Sequence, residues 1–202
     1  MAINVSKTRE ILVDAARQLF ARMGFDNTTM NDIAQASHKG RRTLYTYFKS
    51  KDDVLLAVIK TEMDELYQVL FTLVAQEIPA DEKLIKFLHT RLVTIKKIVS
   101  RNGTLKAAFF RDMWRVETAR KEYNKQEINL IKKILDEGVE AGLFEIHDTY
   151  SIAYILHQSL KGLDSPYIRG KIGNTAADRE AQQQNLINLI FNGIKKQTDI
   201  NQ

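Results

Sequence analysis

The chain reads as an all-α protein, and three observations carry that reading. Apolar residues recur at three- and four-residue spacing in almost every segment. Helix start and stop signals bracket those segments. Pro 2 and Gly 9 are few, and little of the sequence favours strands. With 202 residues, 44% hydrophobic and 27% charged, the chain is long enough to bury a core as one large or two small domains.

The expected first helix runs from about Lys7 to Met23, started by Ser6 or Thr8 and ended by Gly24. Ile11, Ala15 and Leu19 form one apolar stripe and Leu12, Ala16, Phe20 and Met23 its neighbour. A second helix starts at Thr29, whose spacing to Asp32 is that of a capping box, and ends near Ser37–His38. A third covers about Arg41 to Phe48, anchored by Leu44 and Phe48 on one face. Ser50 and Asp53 make a second capping box for a fourth helix reaching about Ala75, with Val54, Leu55, Val58, Ile59, Met63, Leu66, Leu70 and Phe71 on its apolar face. It spans about 37 Å at the standard rise. Pro79 breaks the chain. A fifth helix follows to about Arg101, a sixth from Thr104 to about Val116, and a seventh from Glu117 to Glu140 ended by Gly142. Asp148 caps an eighth that stops at Asp164–Pro166, Tyr167 to Thr175 reads as loop, and a ninth helix covers about Ala176 to Lys196. The domain boundary is expected within the fourth helix, because no linker precedes it, giving domains 1–52 and 53–202.

Charge is unevenly placed. Residues 1–51 hold nine Lys or Arg and four acids, so the whole formal charge of +5 belongs to the first quarter and the remainder is neutral. Such asymmetry fits a head that meets a polyanion, or a basic surface that is merely solvated. Cysteine is absent, which excludes disulfides and thiolate metal sites. No apolar run reaches the ~18 residues of a membrane span, and MAINVSKTRE lacks a signal core, so an intracellular soluble protein is expected.

The segment Thr28 to Lys51, TTMNDIAQASHKGRRTLYTYFKSK, is the most specific in the chain. Two short helices joined by a tight turn, the second opening on Arg41 and Arg42, suit a helix entering the major groove of duplex DNA. Arginine takes guanine O6 and N7 with two bonds. Thr43 and Thr46 offer a hydroxyl or methyl to thymine, Tyr45 and Tyr47 reach phosphates with their hydroxyls, and Lys51 adds an ammonium at a helix start. A helical adaptor that uses the basic head on an acidic protein is the rival from another class.

Residues 8 to 56 resemble the N-terminal domain of the TetR family of transcriptional regulators. Ile11, Ala15, Ala16, Leu19, Phe20, Gly24, Thr28, Thr29, Ile33, Ala34, Leu44, Tyr45, Tyr47, Phe48, Ser50, Lys51 and Leu55 carry the likeness. Where the family usually has Ala-Gly-Val-Ser in its turn, this chain has Ser37-His38-Lys39-Gly40. The resemblance implies that Thr29, Arg41, Arg42, Thr43, Tyr45, Tyr47 and Lys51 touch DNA, with Arg41 and Arg42 reading bases and Tyr47, Lys51 and Thr29 holding phosphate. It implies an effector pocket on the helices that carry Tyr67, Phe87, Leu88, Phe109, Phe110, Met113, Trp114 and Tyr123, suited to an apolar or aromatic small molecule; the same residues would serve equally as core. It also implies a homodimer through the last two helices, with Ile155, Leu156, Leu160, Leu186, Ile190 and Ile194 as contacts, reading a near-palindromic operator. The expected protein is a cytoplasmic bacterial repressor released by an effector, nucleoid-associated when bound. A ligand-independent regulator and an activator remain open.

An enzyme is not expected. His38, His89, His147 and His157 are scattered, none in a zincin-like pair, and there is no nucleophile elbow, P-loop or dinucleotide fingerprint. No cofactor or metal is called for.

Overall fold

A computed structural model describes residues 2–102 and 113–169 and positions 181, 184, 185, 188 and 189, the side chains of 2–6, 113–119, 165 and 168 excepted. Its described helices are α1 (Ala2–Met23), α2 (Met30–Ala36), α3 (Arg41–Tyr47), α4 (Lys51–Val74), α5 (Ala80–Arg101), α6 (Met113–Glu140) and α7 (Thr149–Ile168). No strand occurs among the described residues. None of the described helices is long and apolar enough to cross a membrane. The chain divides into two compact units, Met1–Asp64 with Lys97–Lys121, and Glu65–Lys96 with Glu122–Gln202.

In the first unit α1 presents Leu12, Ala16 and Phe20 to the interior, α2 adds Ile33 and Ala34, and α3 adds Leu44, each at most 2% exposed. Leu12, Ala16 and Phe20 follow the four-residue step that keeps one helix face inward. Ile11 and Met23 depart from expectation, each 37% exposed, while Ala15 and Leu19 of the Ile11 stripe are buried. The helix also begins at Ala2, ahead of Ser6 and Thr8, so neither residue is its N-cap. Nothing between Ala2 and Gly24 breaks it.

In the second unit α5 buries Leu84, Phe87, Leu88 and Leu92, α6 buries Ile131, Ile134 and Leu135, and α7 buries Ala153, Leu156 and Leu160. Gly142 ends α6 with φ 68°, and the Leu143 N–H donates to Gly138 O (2.8 Å). Two boundaries differ from the expected ones. Met113–Val116 belong to the same helix as Glu117–Glu140, since no Gly or Pro separates them. Residues 103–112 of the expected sixth helix lie outside the described residues. Helix α7 passes through Pro166 to Ile168. There Tyr167 is buried beneath the Lys96 ammonium, 5.3 Å from the ring centroid, and that packing holds the last turn. Phe71, expected on the inner face of α4, is 49% exposed and stacks beside Tyr67. The expected ninth helix lies almost wholly outside the described residues.

A charged cluster sits at the centre of the second unit. Arg91 of α5 is 0% exposed. Its Nη1 and Nη2 donate to the two carboxylate oxygens of Asp164 on α7 at 2.7 and 3.2 Å, and its Nε donates to Glu127 on α6. Burial opposes the guanidinium's charge, but attraction to Glu127 and Asp164 outweighs it and pushes the group above its ordinary value. His157 is buried beside it, Nε2 4.0 Å from Glu127 Oε2.

Helix starts are fastened by carboxylates, which makes them acid-sensitive. The hydroxyl and backbone N–H of Thr29 hold Asp32 below its ordinary pKa. The Lys132 ammonium and Thr149 hydroxyl do the same for Asp136. Ser151 does it for Asp148, the N-cap of α7. A carboxylate whose folded pKa is depressed contributes stability that is present above its unfolded pKa and lost as pH falls through the folded one. The thermal midpoint is therefore expected to hold level from neutral pH to about pH 5 and to fall below about pH 4. Melting curves followed by helical circular dichroism across that range check this, and Asp148→Asn should flatten the acid limb.

Candidate nucleic-acid interface

The segment from Thr28 to Lys51 forms the geometry its spacing predicts. Thr29 caps α2: its hydroxyl accepts from the Asp32 N–H (3.2 Å), and the Thr29 N–H donates to the Asp32 carboxylate (2.8 Å). Ser50 and Asp53 repeat the arrangement at the start of α4, at 3.0 and 3.1 Å. Both boxes satisfy N–H groups that a helix start leaves open. Helix α3 ends one residue earlier than expected, at Tyr47.

Between α2 and α3 the chain turns through His38, at φ 53°. The His38 N–H donates to Gln35 O and the Lys39 N–H to Ala34 O, both at 3.0 Å. These two bonds are a Schellman closure, with a histidine where glycine is usual. Gly40 then serves as N-cap of α3 in extended backbone, offering no side-chain bond. Lys39 is half-buried. A left-handed L-residue costs roughly 1–2 kcal/mol, partly offset against glycine by the latter's greater unfolded freedom of about 0.4–1 kcal/mol. His38→Gly is accordingly expected to raise the thermal midpoint by about 2–4 °C. A midpoint unchanged or lowered would show that the imidazole makes a compensating contact.

Helix α3 is pinned by Leu44, 0% exposed, and by Phe48, which follows it at 4% and lies under the Arg9 guanidinium (5.3 Å). A helix of seven residues does not persist alone, so this packing fixes its orientation. With Leu44 inward, Arg41, Arg42, Tyr45 and Thr46 are exposed, and Thr43 and Tyr47 are half-buried at the edges. Arg41 with Tyr45, and Arg42 with Thr46, stand four residues apart on adjoining stripes. Thr46 directs its hydroxyl back to Arg42 O (2.9 Å), which commits that donor.

Two of the expected phosphate contacts have structural work as well. The Lys51 ammonium donates to Phe25 O at 2.6 Å and Asp26 O at 3.4 Å, and lies 4.3 Å from the Phe25 ring centroid. Phe25 in turn meets Phe20 at 5.4 Å. Lys51 thus closes the turn after α1, leaving one of its three N–H groups for another partner. The Thr29 hydroxyl donates to Asp32 at 2.7 Å. The Thr29–Asp32 tie follows from the capping-box spacing, whereas the Lys51 tie crosses the whole α2–α3 pair and no local spacing contains it.

The residues expected around an effector are dispersed in their settings. Phe87 and Leu88 are fully buried, and Tyr67 and Tyr123 are half-buried. Phe109 and Phe110, and the side chains of Met113 and Trp114, lie outside the described residues. Of the expected dimer contacts, Ile155 is 57% exposed, whereas Leu156 and Leu160 are buried within the chain; Leu186, Ile190 and Ile194 lie outside the described residues. Among the described residues no group of three or more His, Cys, Asp or Glu side chains could hold a metal.

Sequence reasoning missed Arg91, Glu127 and Asp164 as a cluster, and Glu62, 1% exposed, paired with Arg101. The signal was present: Leu84, Leu88, Arg91 and Ile95 share one helical stripe, so a charge stands at a core position.

Residues 12–58 match the model of the family described as bacterial regulatory proteins, tetR family. An uncharacterised HTH-type transcriptional regulator of Bacillus subtilis is 22% identical over 73% of this chain and 78% of its own length. The fatty acid metabolism regulator protein of the same organism is 23% identical over 91% of this chain and 93% of its own. The crystal structure of a transcriptional regulator from Cytophaga hutchinsonii superposes with a TM-score of 0.73 at 23% identity, covering 93% of this chain and 98% of that one. The basic α2–turn–α3 head and the all-helical fold agree with these likenesses, and over residues 12–58 the chain carries the N-terminal domain that the tetR family model describes.

Proposed function

We propose that this chain is a cytoplasmic sequence-specific repressor that binds duplex DNA and is released by a small-molecule effector. The observation that carries the reading is α3 itself. Arg41, Arg42, Tyr45 and Thr46 are exposed on a helix held by buried Leu44 and Phe48, in a head that owns the chain's whole net charge. In this reading residues 1–52 form a three-helix head and residues 53–202 the effector-binding and dimerisation domain. Arg41 and Arg42 address base edges, while Tyr47, Thr29 and the remaining N–H of Lys51 address phosphates. Thr43, Tyr45 and Thr46 complete the contact.

The second copy meets α7. Tyr150, Tyr154 and Ile155 are 52%, 47% and 57% exposed on one side of that helix, an apolar and aromatic surface unusual for open solvent. A two-fold pair of heads then reads a near-palindrome. The effector is apolar or aromatic, in keeping with the buried Phe87 and Leu88; the relative that acts in fatty acid metabolism makes a lipophilic acyl compound the first to try. Its binding changes the separation of the two heads, a coupling that must run both ways.

The test is binding of the full chain to duplexes selected from a random pool, with salt varied. A dimeric footprint on an inverted repeat and a linear fall of log affinity with log salt, steeper than about three units, are expected. Salt-insensitive binding, or none, would sink the DNA reading. Retention of the footprint in the presence of long-chain acyl, aromatic and other lipophilic compounds alike would remove the effector.

A further inference from the structure

A groove of about 590 Å³ runs along α1 in the first unit, flanked by the end of α2. Ile11, Asp14, Gln18 and Arg22 line it from α1, and Ala36 and His38 from the α2 side. None of the DNA-facing residues of α3 belongs to it. Within it the inner stripe of α1 opens to solvent at Ile11, 37% exposed, while Ala15 and Leu19 farther along the same groove stay buried.

The four α1 residues form an ordered line. Asp14, Gln18 and Arg22 stand four apart, and Ile11 precedes them by three, so all share one side of the helix. All four are exposed. Asp14 and Arg22 are separated by about 12 Å of helix, with Gln18 midway. The line is acidic at one end and basic at the other, and is therefore complementary to its own reverse. A second α1, laid antiparallel about a two-fold axis through Gln18, sets Asp14 against Arg22 of the second copy and Arg22 against its Asp14. Ile11 then lies toward the end that carries Met23, itself 37% exposed. This is the self-matching layout an isologous contact requires. A phosphate backbone does not fit it, because Glu10 joins Asp14 in the same groove.

We propose that the α1 groove is a second contact between copies of this chain, pairing heads that belong to neighbouring dimers on DNA. The proposal rests on the DNA-binding and dimer readings above. In the free head Asp14 is already engaged by Arg17 (2.7 Å) and Gln18 (2.8 Å), exposed bonds that exchange readily. The contact is small, so it forms where DNA concentrates the heads and not between free dimers in dilute solution. Along a linear duplex each bound dimer offers one α1 toward each neighbour, so the contact repeats from one dimer to the next. Occupation therefore spreads from a first bound dimer to its neighbours.

The natural absence of cysteine permits a direct test. Gln18→Cys puts a single thiol on the proposed axis, and Lys60→Cys, exposed on α4, is the control. Each full-length variant is bound to a selected duplex long enough for several dimers, oxidised with diamide, and run on a non-reducing gel. Gln18→Cys is expected to link chain to chain at least about ten-fold faster on the duplex than off it, and about ten-fold faster than the control. Adding Asp14→Arg should slow the linking, and adding Arg22→Asp to that pair should restore it, since the charges are only exchanged. Equal rates for the two thiols, or no recovery in the charge-exchanged variant, would overturn the proposal. If Gln18→Cys binds the duplex normally but does not link, the groove serves another occupant and the DNA reading stands. If no variant binds any duplex, both fall together.

Discussion

Arg91→Met is expected to lower the stability of the chain by about 3–5 kcal/mol, or on the order of 10 °C in thermal midpoint. The guanidinium is fully buried and bonds to Asp164 through two nitrogens and to Glu127 through the third. Its removal leaves two carboxylates, both nearly buried, with no guanidinium between them. Methionine fills much the same volume, so a cavity is not the cause. The cost is the uncompensated charge. The triple change Arg91→Met, Glu127→Gln, Asp164→Asn separates the two: with all three charges gone, much of the loss should return. Arg91→Lys keeps the charge but not the fork, and should fall between the wild type and Arg91→Met. Thermal and urea melts of the four proteins provide the comparison. A single variant as stable as the triple would mean that the ionic cluster carries no electrostatic weight. Because the cluster ties α5, α6 and α7 together, its loss should loosen the second unit while leaving the capping boxes of the first intact.

How much of this was legible from the residues varies with range. Local signals transferred well: the Thr29–Asp32 and Ser50–Asp53 boxes, the ends at Gly24 and Gly142, and the anchors Leu44 and Phe48 all depend on neighbours within a turn or two. His38 falls in the same class, since a turn of fixed length demands a left-handed residue whatever letter occupies it. Boundaries transferred less well. Helix α7 continues through Pro166 because Tyr167 is packed under Lys96, seventy-one positions away, and no local rule contains that. Charges transferred worst. Lys51 read as a phosphate ligand because it is basic and begins a helix, yet its ammonium reaches back to Phe25 and Asp26 across the whole α2–α3 pair. Arg91, Glu127, Asp164 and Glu62 stand on apolar stripes, and periodicity alone would place them inside. Which acid meets which base is a matter of tertiary arrangement.

Arg42→Ala is expected to weaken binding to the selected operator by about 1–3 kcal/mol, roughly 5- to 150-fold, with a much smaller loss on random duplex. The side chain is exposed on the stripe it shares with Thr46, one position from Arg41, and Leu44 holds the helix from behind. An arginine that reads bases owes its selectivity to a planar fork that can meet guanine O6 and N7 together, and its affinity for phosphate largely to its charge. Arg42→Lys separates these contributions. It should keep the salt dependence of the wild type and lose the preference for the operator. Arg41→Ala tests the adjoining stripe in the same way. Equal losses on operator and random duplex would reassign Arg42 to the backbone, where each charge removed flattens the salt slope by about one unit. Lys51→Ala makes the contrasting case. Its ammonium fastens the turn after α1, so its removal should lower the thermal midpoint and weaken every sequence alike, whereas Arg42→Ala should leave the melt unchanged. The pair of readouts, melt and sequence preference, thus separates a side chain that reads DNA from one that builds the head which does.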